Sequence, residues 1–269
     1  MSKSCATGDY RVPPVMRAFQ LLRYIGDGHD CSNVQQVSRA LGISRTTLIR
    51  LLQTLKDEGA IERLADGQGY RLGISLVSLA SRALQERDLV AVALPVLRAL
   101  SDAQGLSAYL GIRDGDSSLY LARQTPERSL VSNIRVGSRL PLPATSIGRI
   151  LLAHLDPAQV SQLVPEARLD ELSAGLFHDP EALQAALRQD RAANLSWSAG
   201  HYETDVGSCA AALRDAGGEV VGAINLVGAR PLFEVGHPRR SELADALGRA
   251  AGRISAELGY SGIGSGGVS

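Results

Sequence analysis

Apolar residues in the first quarter of the chain recur at three- and four-residue steps, the spacing of helices that bury one face. Val15, Ala18, Leu21, Leu22 and Ile25 follow Pro13 and Pro14, which suit the start of a helix. Val34, Val37 and Leu41 form a second stripe; Gly42 ends it, and Ser44 can cap a third helix carrying Leu48, Leu51, Leu52 and Leu55. The opposite face of that helix holds Arg45, Thr46, Thr47, Ile49, Arg50 and Gln53. Phosphate donors and base-edge readers gathered on one side are what a helix buried on both sides would not display. Beyond Gly59, the runs 60–63 and 70–72 flank the glycine-rich turn 65–69 and predict a small hairpin. Three helices and a hairpin in this order predict a winged helix-turn-helix, and hence DNA binding.

After Gly73, Leu76, Leu79, Ala80, Ala83 and Leu84 predict an amphipathic helix ending near Arg87, read as a linker. The next helical pattern, 90–103, has Leu94, Leu97 and Leu100 on one face, and Pro95 predicts a break or a bent start. From Ser107 the period changes. Runs 107–112 and 117–123 flank the turn Asp114-Gly115-Asp116, and 130–136 reads as a third strand. Helices are expected at 146–154, 156–164 and 180–193, strands at 208–214 and 219–227 around the turn 215–218, and a long helix at 238–258. Paired strands with helices set apart predict an α+β fold. The expected organisation is a DNA-binding domain over 12–73, a linker helix over 74–88, an effector-binding domain with an antiparallel sheet over 89–259, and a Gly/Ser-rich disordered tail over 260–269.

Composition narrows this picture. The 269 residues are 45% apolar and 21% charged, the balance of a globular protein, and the net charge of +0 means that any contact with nucleic acid must come from a local patch. Arg45, Arg50, Lys56, Arg63 and Arg71 could form one, although Asp57, Glu58, Glu62 and Asp66 are interleaved with them. Cys5, Cys31 and Cys209 are scattered and odd in number, which predicts a reducing compartment and no metal site. Residues 1–11 lack the apolar core of a signal peptide and no stretch has the length of a membrane span, so a cytoplasmic protein without membrane contact is expected.

A recognition helix reads base edges with its N-terminal residues, which selects Arg45, Thr46, Thr47 and Arg50, with Gln53 one turn on. An arginine gripping guanine through two bonds is worth about 1–3 kcal/mol of discrimination. Arg63, Gln68 and Arg71 on the hairpin suit phosphate or the minor groove; each arginine could equally be a solvated surface charge. Two other readings stand beside this one. His201, Asp205, Ser208 and Cys209 cluster as the nucleophile and base of a hydrolase acting on small acids would, but no G-x-S-x-G elbow is present. The winged helix could also bind protein, in which case binding would respond little to salt. The five histidines are far apart, and the 262–267 glycine string has no strand before it or helix after it, so no catalytic residue, metal or cofactor is expected.

Several blocks together resemble the IclR family of bacterial transcriptional regulators, from about Val12 to Gly259. "VMRAFQLLRYI" is similar to the family's opening helix, "SRTTLIRLLQTLKDEGAIER" to its recognition helix and first wing strand, and "GYRLG" to the wing's return. "RLPLPATSIGRILLAHL" resembles the effector-pocket loop and helix, and "SCAAALRDAGGEVVGAINLVG" the paired terminal strands. The resemblance implies a GAF-like domain that binds a small carboxylic or aromatic acid, and homodimers or tetramers on palindromic operator DNA that could also touch RNA polymerase. The blocks "GSRLPLP" and "GAINLVG" look closest to activators of aromatic-acid degradation. Carried over from the family pattern, effector contacts fall on Ser146, Ile147, Ser208, Asn225 and Val227, with Ser132 and Ile134 closing the pocket. Backbone N–H groups opening a helix at Ser146 would seat a carboxylate, while the serines and asparagine could instead satisfy neighbouring backbone. Pro143 stands where the family usually has histidine, and Ala212 where it often has proline.

Overall fold

The computed structural model describes residues 12–64, 69–85, 88–126 and 134–261. The chain divides between Glu86 and Arg87 into two compact units.

In the first unit, α1 (Pro13–Gly26) is followed by α2 (Val34–Leu41) and α3 (Arg45–Asp57). The Asn33 side chain accepts from the amides of Gln35 and Gln36 and starts α2, and Gly42 ends it at φ 62°, a left-handed conformation that favours glycine. Ser44 Oγ then accepts from the Thr47 amide at 3.3 Å and starts α3. Strands β1 (Ile61–Arg63) and β2 (Tyr70–Leu72) pair antiparallel, Glu62 opposite Arg71. Leu21, Ile25, Val37, Ile43, Leu48, Leu52 and Ile61 close a single core. Burying a side chain such as Leu48 contributes about 1.5–3 kcal/mol. Helix α4 (Ile74–Gln85) follows the hairpin.

The second unit opens with α5 (Asp88–Gln104), which runs through Pro95 without the expected break. Proline removes the bond to the carbonyl of Ala91, but Ala91 and Pro95 both lie on the exposed face, where water can take that carbonyl. Leu94 is on that face too, 36% exposed; the packed stripe is Ala93, Val96, Leu97 and Leu100. Strands β3 (Ser107–Asp114), β4 (Ser117–Gln124) and β5 (Arg139–Pro141) come next. The strand expected over 130–136 is not found where it can be assessed. Residues 130–133 lie outside the described residues, and 134–136 lead into a turn closed by Ser138 N–H to the Arg135 carbonyl, with Gly137 at φ 90°. Gly137 in that turn already donates to the Tyr120 carbonyl of β4, and β5 continues the pairing.

A single 3-10 turn (Leu142–Ala144) leads into α6 (Ser146–Ala153), then α7 (Pro157–Leu163), α8 (Glu166–Leu172) and α9 (Pro180–Ala193). Strands β6 (Ser196–Ala199), β7 (Val206–Arg214) and β8 (Val220–Ala229), a second 3-10 turn (Arg230–Phe233) and α10 (Arg240–Glu257) complete it. The sheet is antiparallel throughout in the order β5-β4-β3-β8-β7-β6. Strand side chains alternate between faces. Tyr109, Ala210, Ala212, Ala223 and Val227 pack with Ile147, Ile150 and Leu151 of α6. Helices α5 and α10 pack on each other and on β3 and β7. Among the described residues no helix is long and apolar enough to cross a membrane.

Candidate functional site

Two surfaces carry candidate chemistry, one in each unit. On α3, Leu48 and Leu52 are buried and Leu51 and Leu55 partly so, while Arg45, Thr46, Ile49, Arg50, Gln53 and Lys56 are exposed. Arg45 and Arg50 make no hydrogen bond or ion pair among the described residues. Thr47 differs. It is half-buried and its Oγ1 lies 2.8 Å from Ser44 Oγ, so its hydroxyl is held in the helix cap. Gln53 Nε2 donates to Asp57 at 2.7 Å. On the hairpin, Arg63 is exposed and Gln68 lies outside the described residues. Arg71 donates through Nε and Nη2 to Glu62, at 2.9 and 2.7 Å, and Glu62 also accepts from the Ile74 amide. These bonds, that of Arg71 foremost, hold the Glu62 carboxyl below its ordinary range.

In the second unit, a small cleft partly open to solvent lies between the start of α6 and strands β7 and β8. The geometry at its polar side begins with Thr145. Its Oγ1 accepts from the Gly148 amide at 3.0 Å and caps α6. The chain folds back tightly here: a Cβ on Gly148 would stand 2.1 Å from the Leu142 carbonyl oxygen. Ser146 Oγ sits 2.7 Å from Ser208 Oγ, and Asn225 Nδ2 reaches Ser146 Oγ at 3.5 Å. Asn225 is 2% exposed, and its Oδ1 has no partner among the described residues. Tyr120 forms another wall. Burial raises its hydroxyl above the ordinary range, a bond with Thr145 opposes this, and the charge of Glu203 adds to the rise. Ser198 Oγ lies 3.1 Å from His201 Nδ1, and burial lowers that imidazole, with Arg149 and Arg230 adding to the effect.

Of the expected effector contacts, Ile134, Ser146, Ser208, Asn225 and Val227 line this cavity. Ser132 lies outside the described residues. Ile147 is not in the lining: its side chain is fully buried and packs into the space left by Gly111 on β3, where a Cβ would be 2.9 Å from Ile147 Cγ2. Position 147 turns its side chain to the core because the helix places it against the sheet. Tyr120, Thr145, Ser198, Tyr202, Glu203 and Val206 also line the cavity and were not expected there. Thr145 directly precedes a predicted helix and carried a capping signal; residues 202–206 lead out of a strand, β6, that the sequence pattern did not reveal.

The cluster weighed as a hydrolase does not assemble. Ser208 pairs with Ser146 and His201 with Ser198, while Cys209 is fully buried and burial drives its thiol above the ordinary range. Arg149, at the heart of α6, instead serves the fold. Its guanidinium bonds Asp190 of α9 at 2.9–3.0 Å and the Trp197 carbonyl of β6 at 3.1 Å. Burial raises the Asp190 carboxyl, and Arg149 pulls it back down.

A winged helix-turn-helix joined to a sheet-and-helix unit with a cleft lined by polar and apolar side chains is the architecture of a ligand-responsive DNA-binding protein. Residues 81–256 match the model of the bacterial transcriptional regulator IclR C-terminal domain, and residues 14–65 that of the IclR helix-turn-helix domain. The chain belongs to the IclR family of transcriptional regulators. It is 28% identical over 249 residues to the HTH-type transcriptional regulator KdgR of Escherichia coli K12, covering 93% of this chain and 94% of that one. It is 34% identical over 213 residues to the Pca regulon regulatory protein of Pseudomonas putida, covering 78% and 70%. Among solved structures, it is similar to an IclR homologue from Microbacterium hydrocarbonoxydans complexed with 4-hydroxybenzoate. That match has 25% identity and a TM-score of 0.77, and covers 91% of this chain and 98% of that one.

Proposed function

We propose that this regulator binds a palindromic operator through α3 and the hairpin, and that a small organic acid held in the cavity alters that binding. The carrying observation is the cavity: Ser146, Ser208 and Asn225 converge beside the opening turn of α6, whose dipole favours negative charge. The 4-hydroxybenzoate bound by a homologue supports an acid, and an aromatic one among the candidates. Ser146, Ser208, Asn225, Val227 and Ile134 are the proposed contacts. Arg45, Thr46 and Arg50 are proposed to reach base edges, with Arg63 on phosphate.

Helix α1 exposes Val15, Met16 and Phe19, and Val12 just before it is exposed too, each more than half accessible, which supports a homodimer or a tetramer of such dimers. The regions 12–73, 74–88 and 89–259 are the proposed functional domains, with α4 within the middle one carrying the response. The test is DNA binding to the protein's own upstream region across a salt series, with and without candidate acids. Affinity should fall steeply as salt rises, and one acid should change it. Because an activator can work through contact with RNA polymerase, transcription is measured alongside. A flat salt response with no shift on any genomic fragment refutes the DNA reading. The acid is found by thermal shift, since ligand at a hundred times its dissociation constant stabilises the protein by about 2.7 kcal/mol.

A further inference from the structure

The cavity's electrostatics restrict what it can hold. Among the described lining residues, Glu203 alone carries a formal charge, and no lysine or arginine lines the space. Arginines on neighbouring segments are committed elsewhere: Arg123 to Thr125 and the Ile134 carbonyl, Arg149 to Asp190 and the Trp197 carbonyl, Arg230 to Glu234. Glu203 has no side-chain bond among the described residues. A first carboxylate can be seated by neutral donors at the start of α6, but a second would meet Glu203 with no cation among the described lining residues.

The second constraint is Asn225 Oδ1, buried and without a donor among the described residues. An unpaired buried acceptor is costly, and a ligand bearing only a carboxylate brings it nothing, because an ionised carboxylate accepts and does not donate. A hydroxyl does donate. Both exceptional groups of this cavity therefore call for a donor and oppose additional negative charge.

We propose that Glu203 and Asn225 make the cavity selective for a singly charged acid that carries a hydroxyl group, and against dicarboxylates. This rests on the organic-acid reading above and narrows it. The experiment measures binding to the full-length protein by calorimetry, using two matched series: benzoate, the three hydroxybenzoates and terephthalate; butyrate, its hydroxy derivatives and succinate. A hydroxy acid should bind at least about tenfold tighter than its parent, and the dicarboxylate more weakly than the parent. In Glu203→Gln, the dicarboxylate should gain about tenfold relative to the parent acid. The unliganded melting temperature of that variant verifies its fold, as the Glu203 side chain holds nothing else in place.

A dicarboxylate that equals the hydroxy acid in the unaltered protein overturns the proposal. So does an unchanged dicarboxylate-to-parent ratio in Glu203→Gln. If no acid of either series binds, the organic-acid reading itself fails, a distinct result that takes this proposal with it.

Discussion

At the scale of single residues, Arg50 and Thr47 show how position on one helix separates a side chain open to solvent from one held in the helix cap. Both were expected at base edges; Arg50 stands free on the exposed face, whereas Thr47 spends its hydroxyl on the Ser44 cap. Arg50→Ala should weaken binding to the operator by about 1–3 kcal/mol while changing binding to unrelated DNA much less, as competition titrations at fixed salt will show. An equal loss on both DNAs would assign Arg50 to phosphate. The leucine stripe of α3 was legible because spacing alone decides which residues of a helix are buried. The inward turn of Ile147 was not, because it depends on a glycine more than thirty positions earlier, Gly111, that leaves room on a strand.

At the scale of elements, sequence patterns found those that bury a regular stripe and missed those whose reason is tertiary. Helices α1 to α3 and α9 and strands β3, β4, β7 and β8 all carry periodic apolar positions bounded by turn residues. Strand β6 is only four residues long and holds its place through β7 and the Arg149 bond to Trp197. Pro95 misled because a local rule about helix breaking does not see which face meets water. The Arg149–Asp190 pair fastens α6, α9 and β6 together in the interior, with side chains 9% and 8% exposed. Arg149→Ala should leave the Asp190 charge buried and uncompensated, costing about 3–5 kcal/mol in urea denaturation. Replacing both, as Arg149→Met with Asp190→Leu, should restore most of the loss. A double variant as unstable as the single one would show that the shape of the pair matters more than its charge.

For the molecule as a whole, stability should depend on acidity through its enclosed histidines. Burial, with Arg214 and Arg191 adding to it, lowers His154 to about 4, and His201 is lowered by burial as well. Arg214 donates to His154 Nδ1 at 3.2 Å, a bond that needs the neutral ring. Because the folded value lies below the ordinary 6.5, the unfolded chain binds more protons in this window. The contribution is therefore complete above pH 6.5 and is lost as the pH falls toward 4. Denaturant midpoints between pH 7.5 and 4.5 should decline, and His154→Gln should flatten that decline; curves that stay parallel would remove His154 as the cause.

The hairpin pair of Glu62 and Arg71 bears on how this regulator competes with dissolved ions. A free arginine meeting a phosphate releases a mobile cation into solution, and each such release makes association more sensitive to ionic strength. Arg71 already carries a tethered anion in Glu62, so engaging phosphate would mean prising apart two parts of the same protein. The wing is thus internally neutralised at that position, and Arg71 should add little to the salt dependence of DNA binding, so that Arg71→Ala leaves its slope nearly unchanged.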